Sequence, residues 1–579
     1  MRKVSGDFVQ KGYALALRQE FFLKTQVAIC KKRFSIDFCI RTIYNKGIKF
    51  RRYDMLNYAI LKDKILGCFN GKNAGGVLGA PFEHLSRRTN DVSFYIQENI
   101  NGNPPPNDDL DLQLVWLYAA EKYGARVNSH NLAECWSSFI TPDWAEYGAA
   151  KRNLAAGMLP PLSGSVGNIY RDSNGAWIRT EIWACLAPAH PDVAVRYAIE
   201  DAIVDHAEEG VYATAFCAAL ESAAFVQSDV VALLDIATTY LPEGSRCLDA
   251  VNIAKSAYVE GVDWQTCRKR ILAKHTATFG VAHTKLGVIK DEFVGLERPG
   301  NDAPAHVGFV ALSLLYGEGD FEKTVCIATN CGEDTDCTAG TVGAVFGIIH
   351  GDKAMPEKWM KPLGGVINTC CIELNGGLVV PKTTAEFTDR ILRLIPTFLS
   401  HKVLDTNGGD YKLTPATRLT CAPECEYVPE VLGHNKDCRL TVKEILALSP
   451  YAVRHEFFNM GAILDYGKEP FVKQGDEMTL TLYLYDVMDG SVRGHFANIK
   501  IYTDEGIELP LGNYISAPLF TTYTTKTKLE IPVKVEKITS PKMNVILDIS
   551  FEGRPTSALV KATLYAGNYT SVCAKRPGI

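Results

Sequence analysis

The segment Thr329–Gly340, TNCGEDTDCTAG, puts three carboxylates, Glu333, Asp334 and Asp336, into four residues between the apolar or small runs VCIA and TAGTVGAVFGIIHG. Taking a charge from water into a packed interior costs several kcal/mol unless something compensates it. An acid cluster on the way into a core therefore calls for a cation. A second cluster lies in PPPNDDLDLQLVWLYAAEK. Pro104–Pro106 bar a helix from running into this point and the apolar-periodic run begins directly after, so Asn107, Asp108 and Asp109 fall at an N-cap and first turn, with Asp111 close behind. One of them suffices as a cap, a contribution of about 0.3–1 kcal/mol. Together they offer several hard oxygen ligands of the kind that hold Mg²⁺, Mn²⁺ or Ca²⁺. An EF-hand is excluded, because GEDTDCTAGTVG lacks that loop's ligand spacing and terminal Glu. A lone Asp-x-Asp also occurs in metal-dependent nucleotide-sugar transferases. That chemistry sits on a strand-rich α/β sheet, whereas the surroundings here read as helical.

Helices must position these acids, and two of them carry an unusual face. In GCFNGKNAGGVLGAPFE, Gly67, Gly71, Gly75 and Gly79 recur every four residues. Each costs about 0.8–1 kcal/mol of helix propensity relative to alanine, so a backbone is expected to pack very closely against them. Gly340, Gly343, Gly347 and Gly351 repeat the device after the acid cluster. The two glycine-faced helices are expected to be partners in one tight centre, with the nearby charges excluding a membrane dimer motif.

From residue 55 to 399 the apolar residues recur at helical spacing, as in VAVRYAIEDAIVDHA and AHVGFVALSLLYG, which predicts an all-helical domain. Residues 400–450 read as a connector rich in Pro, Gly, Asn and Cys. From 451 to 579, MTLTLYLYDV, ANIKIYTDEG, KLEIPVKVEK, MNVILDISFEG and SALVKATLYAG alternate at period two between turns, which predicts an immunoglobulin-like β-sandwich. Residues 1–54 carry thirteen Lys and Arg against four Asp and Glu, so with a chain total of −5 the remainder stands at −14. This basic segment has no aromatic–basic interleaving and reads as an extension ahead of a fold that opens with the amphipathic MLNYAILKDKILGCFNGK.

No apolar run approaches the roughly 18–20 residues of a membrane span, and YALAL at Tyr13–Leu17 is too short for a secretory signal. The seventeen cysteines are scattered through apolar segments, which suits reduced core thiols and a cytoplasmic protein. Neither a membrane nor a nucleic-acid partner is expected. In the connector, Cys421, Cys425, His434 and Cys438 are zinc-ligand types at a spacing that matches no standard zinc motif. The vicinal pair Cys370–Cys371 reads as core packing.

GCFNGKNAGGVLGAPFE, NDDLDLQLVWL, NGAWIR with the later DHAEEG, and NCGEDTDCTAGTVGAVFGIIHG resemble, in content and order, the motifs of the ADP-ribosylglycohydrolases. This all-helical family includes the dinitrogenase reductase-activating glycohydrolase and the ADP-ribosyl-arginine and -serine hydrolases. The resemblance spans about Leu56–Leu399 and leaves the β-domain outside. It implies a two-metal centre, Mg²⁺ or Mn²⁺, that holds ribose hydroxyls of ADP-ribose and a water. On this resemblance Asn107, Asp108 and Asp109 stand for a Thr-Asp-Asp ligand run, Asp334 and Asp336 for the Asp-x-Asp ligands, and Cys337 for a ligating Thr or Ser. Glu83 matches an acid that closes over the metals, Asn174, Gly175 and Arg179 a phosphate loop, and His206 a histidine near the substrate.

The chain departs from the family pattern at Glu333 (for Gly), Cys337 (for Thr), Gly76 (for Asp) and the bulky Trp177. The implied reaction is hydrolysis of an N- or O-glycosidic bond, with Glu83, Glu333 or Asp109 accepting a proton from water as an oxocarbenium-like state forms. Asp205, Glu208 and Glu209 are further candidates, the last two fitting a solvated helix turn. Two alternatives stand beside ADP-ribosyl hydrolysis: a glycoside hydrolase for a non-nucleotide sugar, with Trp177 against a sugar face, and a non-catalytic binding protein of the same fold.

Overall fold

The structure, a computed structural model, describes residues 56–83, 91–96, 100, 102–275, 301–374, 376–399, 410–411, 440–457, 460–486, 495–519, 526–555 and 557–573. The basic segment and the four candidate zinc ligands of the connector lie outside the described residues.

The helices that build the site are α1 (Tyr58–Gly79), α2 (Asp108–Tyr123), α3 (Ala145–Ala156), α4 (Pro191–Ala202), α5 (Glu209–Ala224), α6 (Ala303–Gly317) and α7 (Thr335–His350). The expected start of α2 follows from its local chemistry. Asn107 is its N-cap and its side chain accepts from the Asp109 N–H at 2.8 Å. Helices α5, α6 and α7 are buried along nearly their whole length, which is why they read as apolar all round.

Among the described residues after 451 there are ten strands: β1 (Ala452–Glu456), β2 (Met460–Asp465), β3 (Phe471–Val472), β4 (Glu477–Asp486), β5 (His495–Thr503), β6 (Ile507–Glu508), β7 (Tyr514–Leu519), β8 (Lys526–Val535), β9 (Lys542–Phe551) and β10 (Ser557–Ala566). They make two five-stranded sheets, ordered β1-β2-β4-β8-β6 and β3-β10-β9-β5-β7. Every pairing is antiparallel except β3 with β10. Leu480, Leu482 and Leu484 of β4 share one core with Val545, Leu547 and Ile549 of β9, so the two sheets face each other as a sandwich. The five alternating segments of the sequence are the long strands β4, β5, β8, β9 and β10. The sandwich is joined to the helical domain by Arg454, paired with Glu200 at 2.6 Å, and by Ser165, whose hydroxyl donates to Pro450 O at 2.8 Å.

Candidate metal centre

The glycine faces of α1 and α7 meet backbone to backbone. A Cβ on Gly71 would strike Gly343 O, one on Gly75 would strike Ala339 O, and one on Gly347 would strike Gly67 O. Thr335 Oγ1 ties the top of α7 to the end of α1 by donating to Gly79 O at 2.8 Å. This contact brings Glu83, just beyond α1, beside the start of α7. The turn into α7 runs through two left-handed residues, Gly332 (φ 75°) and Glu333 (φ 67°), after which Asp334 is the N-cap. His306 of α6 holds that turn. Its Nδ1 lies 2.8 Å from the carbonyl of Asp302, which can only accept, so the proton is on Nδ1 and Nε2 receives the Asp334 N–H at 3.2 Å.

Two overlapping acid groups result. Glu83, Asp334 and Asp336 each place a carboxylate oxygen within 4.8 Å of the others, and a carboxylate oxygen each of Asp109 and Asp336 lies as close to the other and to Cys337 Sγ. The second cluster of the sequence therefore meets the first through Asp109 and Asp336. Asn107 joins them, its Nδ2 donating to Asp336 Oδ2 at 3.3 Å. Asp108 accepts from Tyr147 Oη of α3 at 3.0 Å and stands in the field of Glu83. Burial pushes every one of these aspartates up. Asp334 rises to about 7, from burial first and the charge of Glu83 second. Asp336 lies well above its ordinary range, from burial and then Asp334 and Glu83. Asp109 does too, although Lys72 pulls the other way.

Lys72 of α1 is the residue that the sequence reading missed. Its ammonium lies 3.0 Å from Asp109 Oδ2, 3.0 Å from Glu181 Oε1 and 2.6 Å from Ile178 O, with only 2 % of the side chain exposed. Burial opposes its charge, but Asp109 and Glu181 raise its pKa. Its one signal was a lysine among the glycines and apolar residues of GCFNGKNAGG. Cys337 donates its thiol to Asp109 Oδ1 at 3.4 Å, and burial followed by the neighbouring carboxylates keeps it protonated.

The segment Ser173–Arg179 is placed differently from the expectation. Asn174 does face the acids, its Nδ2 donating to Asp334 Oδ2 at 2.7 Å. Gly175 leaves room for Glu146, whose carboxylate a Cβ there would strike. Arg179 is corrected: it is fully buried, donating to both oxygens of Asp201 at 3.0 and 3.2 Å, to Asp205 at 2.7 Å and to the carbonyl of Gly175. Its five N–H donors are spent on the protein, so it is not set to grip a phosphate. Trp177 is likewise fully buried and offers no face to a sugar. His206 lies between Ser173 Oγ (Nε2, 2.8 Å) and Asp205 (Nδ1, 2.9 Å). Ser, His and Asp in that order suggest a nucleophilic relay. Burial would raise Asp205, but Arg179 and His206 hold it below the usual carboxylate range, and all three groups are buried, so the chain of bonds fixes the loop.

Other expectations resolve into structural roles. Glu333, a candidate base in the sequence, is fully buried and stands outside both acid groups. Asp111 accepts the backbone N–H groups of Cys370 and Cys371 at 2.7 and 2.8 Å and so anchors that loop. Cys370 is exposed instead of lying in the core. Glu209 accepts the N–H groups of Arg246 and Cys247 at 2.8 and 3.0 Å, and Glu208 pairs with Arg171 at 2.8 Å.

A helical protein with a buried, multi-carboxylate centre at the meeting of two glycine-faced helices is the class defined so far. Residues 57–392 match the family model described as ADP-ribosylglycohydrolase, and the chain belongs to that family. No curated protein matches the chain. Among solved structures, the FixG-related protein from Vibrio parahaemolyticus is similar over 18 % of this chain and 94 % of its own, at 14 % identity and a TM-score of 0.14, a likeness that carries no argument. The family is metal-dependent, and the donor set fits a divalent ion: Asp334 Oδ1 and Asp336 Oδ1 are buried with no hydrogen-bond donor, an arrangement that a hard cation compensates. No helix among the described residues is long and apolar enough to cross a membrane.

Proposed function

We propose that this chain hydrolyses the glycosidic bond of an ADP-ribosyl group on a modified protein or small molecule. The convergence of Glu83, Asp334 and Asp336 beside Asp108 and Asp109 carries this reading, together with membership of the family. Asp334 and Asp336, with Asp108 nearby and Asp109 and Asn107 behind them, would hold Mg²⁺ or Mn²⁺. When bound, the ion supplies orientation of sugar hydroxyls and acidifies a water. The rest falls to the protein. Asn174 and His306 fix Asp334, and Tyr147 fixes Asp108. Glu83 is the half-exposed acid of its group and the residue best set to take the proton of the attacking water. Asp109, engaged by Lys72 and Cys337, is a poorer base than Glu83, and Glu333 lies off the acid groups. Buried free thiols support a cytoplasmic location.

The engagement of Arg179 by Asp201 and Asp205 favours one second reading, a glycoside without a nucleotide. Five acids kept in place weigh against a merely non-catalytic protein. Calorimetry with ADP-ribose and Mg²⁺ or Mn²⁺, followed by release of ADP-ribose from ADP-ribosylated protein, decides the substrate. Binding and chelator-sensitive release support the ADP-ribosyl reading. No binding to the metal-loaded protein overturns it in favour of another glycoside.

A further inference from the structure

We infer that Lys72 supplies the second cation of the acid centre, so that this chain binds one divalent ion where the family's centre takes two. The inference rests on the metal-dependent reading above. The two acid groups share Asp336 but differ in what surrounds them. The outer group, Glu83, Asp334 and Asp336, opens towards solvent at Glu83 and has two buried oxygens that no donor reaches. The inner group, Asp109, Asp336 and Cys337, is already served. Asp109 Oδ2 faces the Lys72 ammonium at 3.0 Å, and Asp109 Oδ1 accepts the Cys337 thiol at 3.4 Å.

The ammonium sits in a built shell. Besides Asp109 it has Glu181 Oε1 at 3.0 Å, Ile178 O at 2.6 Å and Thr341 Oγ1 at 3.5 Å. Gln113 Nε2 holds the other oxygen of Glu181 at 2.8 Å. The lysine stem lies along the glycine face of α7, where a Cβ on Gly340 would come within 3.1 Å of Lys72 Cδ. A long, flexible side chain is thus locked with its charge against one ligand carboxylate. A divalent ion on Asp109 would face that fixed charge across a single carboxylate, in a region too dry to screen it. One turn on, Gly76 contributes no carboxylate, and the Nδ2 of Asn107 lies 2.7 Å from where its Cβ would be. A thiol is also a softer ligand for Mg²⁺ or Mn²⁺ than the hydroxyl usual at position 337. Two departures from the family pattern, at 76 and 337, thus fall beside Lys72 on the same inner group.

The test is the Mn²⁺ content of the purified full chain after equilibrium dialysis, read by elemental analysis and by electron paramagnetic resonance. The expected result is one Mn²⁺ per chain with an uncoupled six-line spectrum. In Lys72→Met the content should rise to two, with the spectrum of a coupled pair. Should that variant fail to fold, Lys72→Met/Glu181→Gln, which removes one charge of each sign, makes the same comparison. Two coupled Mn²⁺ in the wild type overturn the inference and leave the metal-dependent reading standing. No Mn²⁺ in the wild type overturns both. A folded variant still at one Mn²⁺ overturns the assignment to Lys72.

Discussion

Asp334 carries the consequences of packing acids together. Burial and the charge of Glu83 lift its pKa from 3.8 to about 7, so the folded protein keeps a proton that the unfolded chain gives up. Without metal, this contribution to stability is complete below about pH 4 and is lost as the pH climbs to about 7. Thermal unfolding in chelator should therefore show wild type losing stability relative to Asp334→Asn between pH 4 and 7, with Mn²⁺ restoring it at neutral pH. The same carboxylate must shed its proton to bind a cation, so Mn²⁺ affinity should rise with pH through about 7. An affinity that stays flat across that range places the metal elsewhere. Asp334→Asn and Asp336→Asn should each abolish turnover and the response to chelator. Their metal-free folds should be at least as stable as wild type, because each removes a carboxylate from a repelling set. Unfolded variants, with a wild type indifferent to metal, would make the acids structural.

The α1–α7 contact is the element on which the centre depends. Gly71→Ala would place a methyl group against the carbonyl of Gly343, where neither backbone can yield without separating the helices. The expected loss is about 3 kcal/mol or more, read by urea unfolding, with metal binding weakened alongside. A loss well under 1 kcal/mol would show that the helices can part. Arg179→Met should also act on stability, by about 3–5 kcal/mol, since it strands Asp201 and Asp205 without their cation. Weakened ligand binding with unchanged stability would return Arg179 to the substrate pocket. The glycine contact was legible in sequence because so close an approach permits no Cβ, and the four-residue spacing records it. The long strands were legible from their period-two burial, but β1, β2, β3, β6 and β7 were not, being short or apolar on both faces. Arg179 was misread because sequence shows a guanidinium without its partner, and Asp201 and Asp205 lie 22 and 26 residues away. The neutral surroundings of Lys72 in the chain hid that its partners, Asp109 and Glu181, come from two other segments.

At the scale of the whole molecule, the family match ends at residue 392 and the sandwich lies beyond it. The Arg454–Glu200 pair joins β1 to α4, and Tyr485 of β4 and Ala452 of β1 pack into the helical core. Those contacts fasten the sandwich to the helical domain near the helix that bears Asp201. In the helical domain, two acid clusters distant in sequence meet at one point that fits a cation. The most direct measurement is an anomalous-difference map from crystals of the chain grown with Mn²⁺. A peak coordinated by Asp334 and Asp336, absent in Asp334→Asn, is the expected result. A map with no peak at these carboxylates in protein that binds Mn²⁺ in solution would contradict the account.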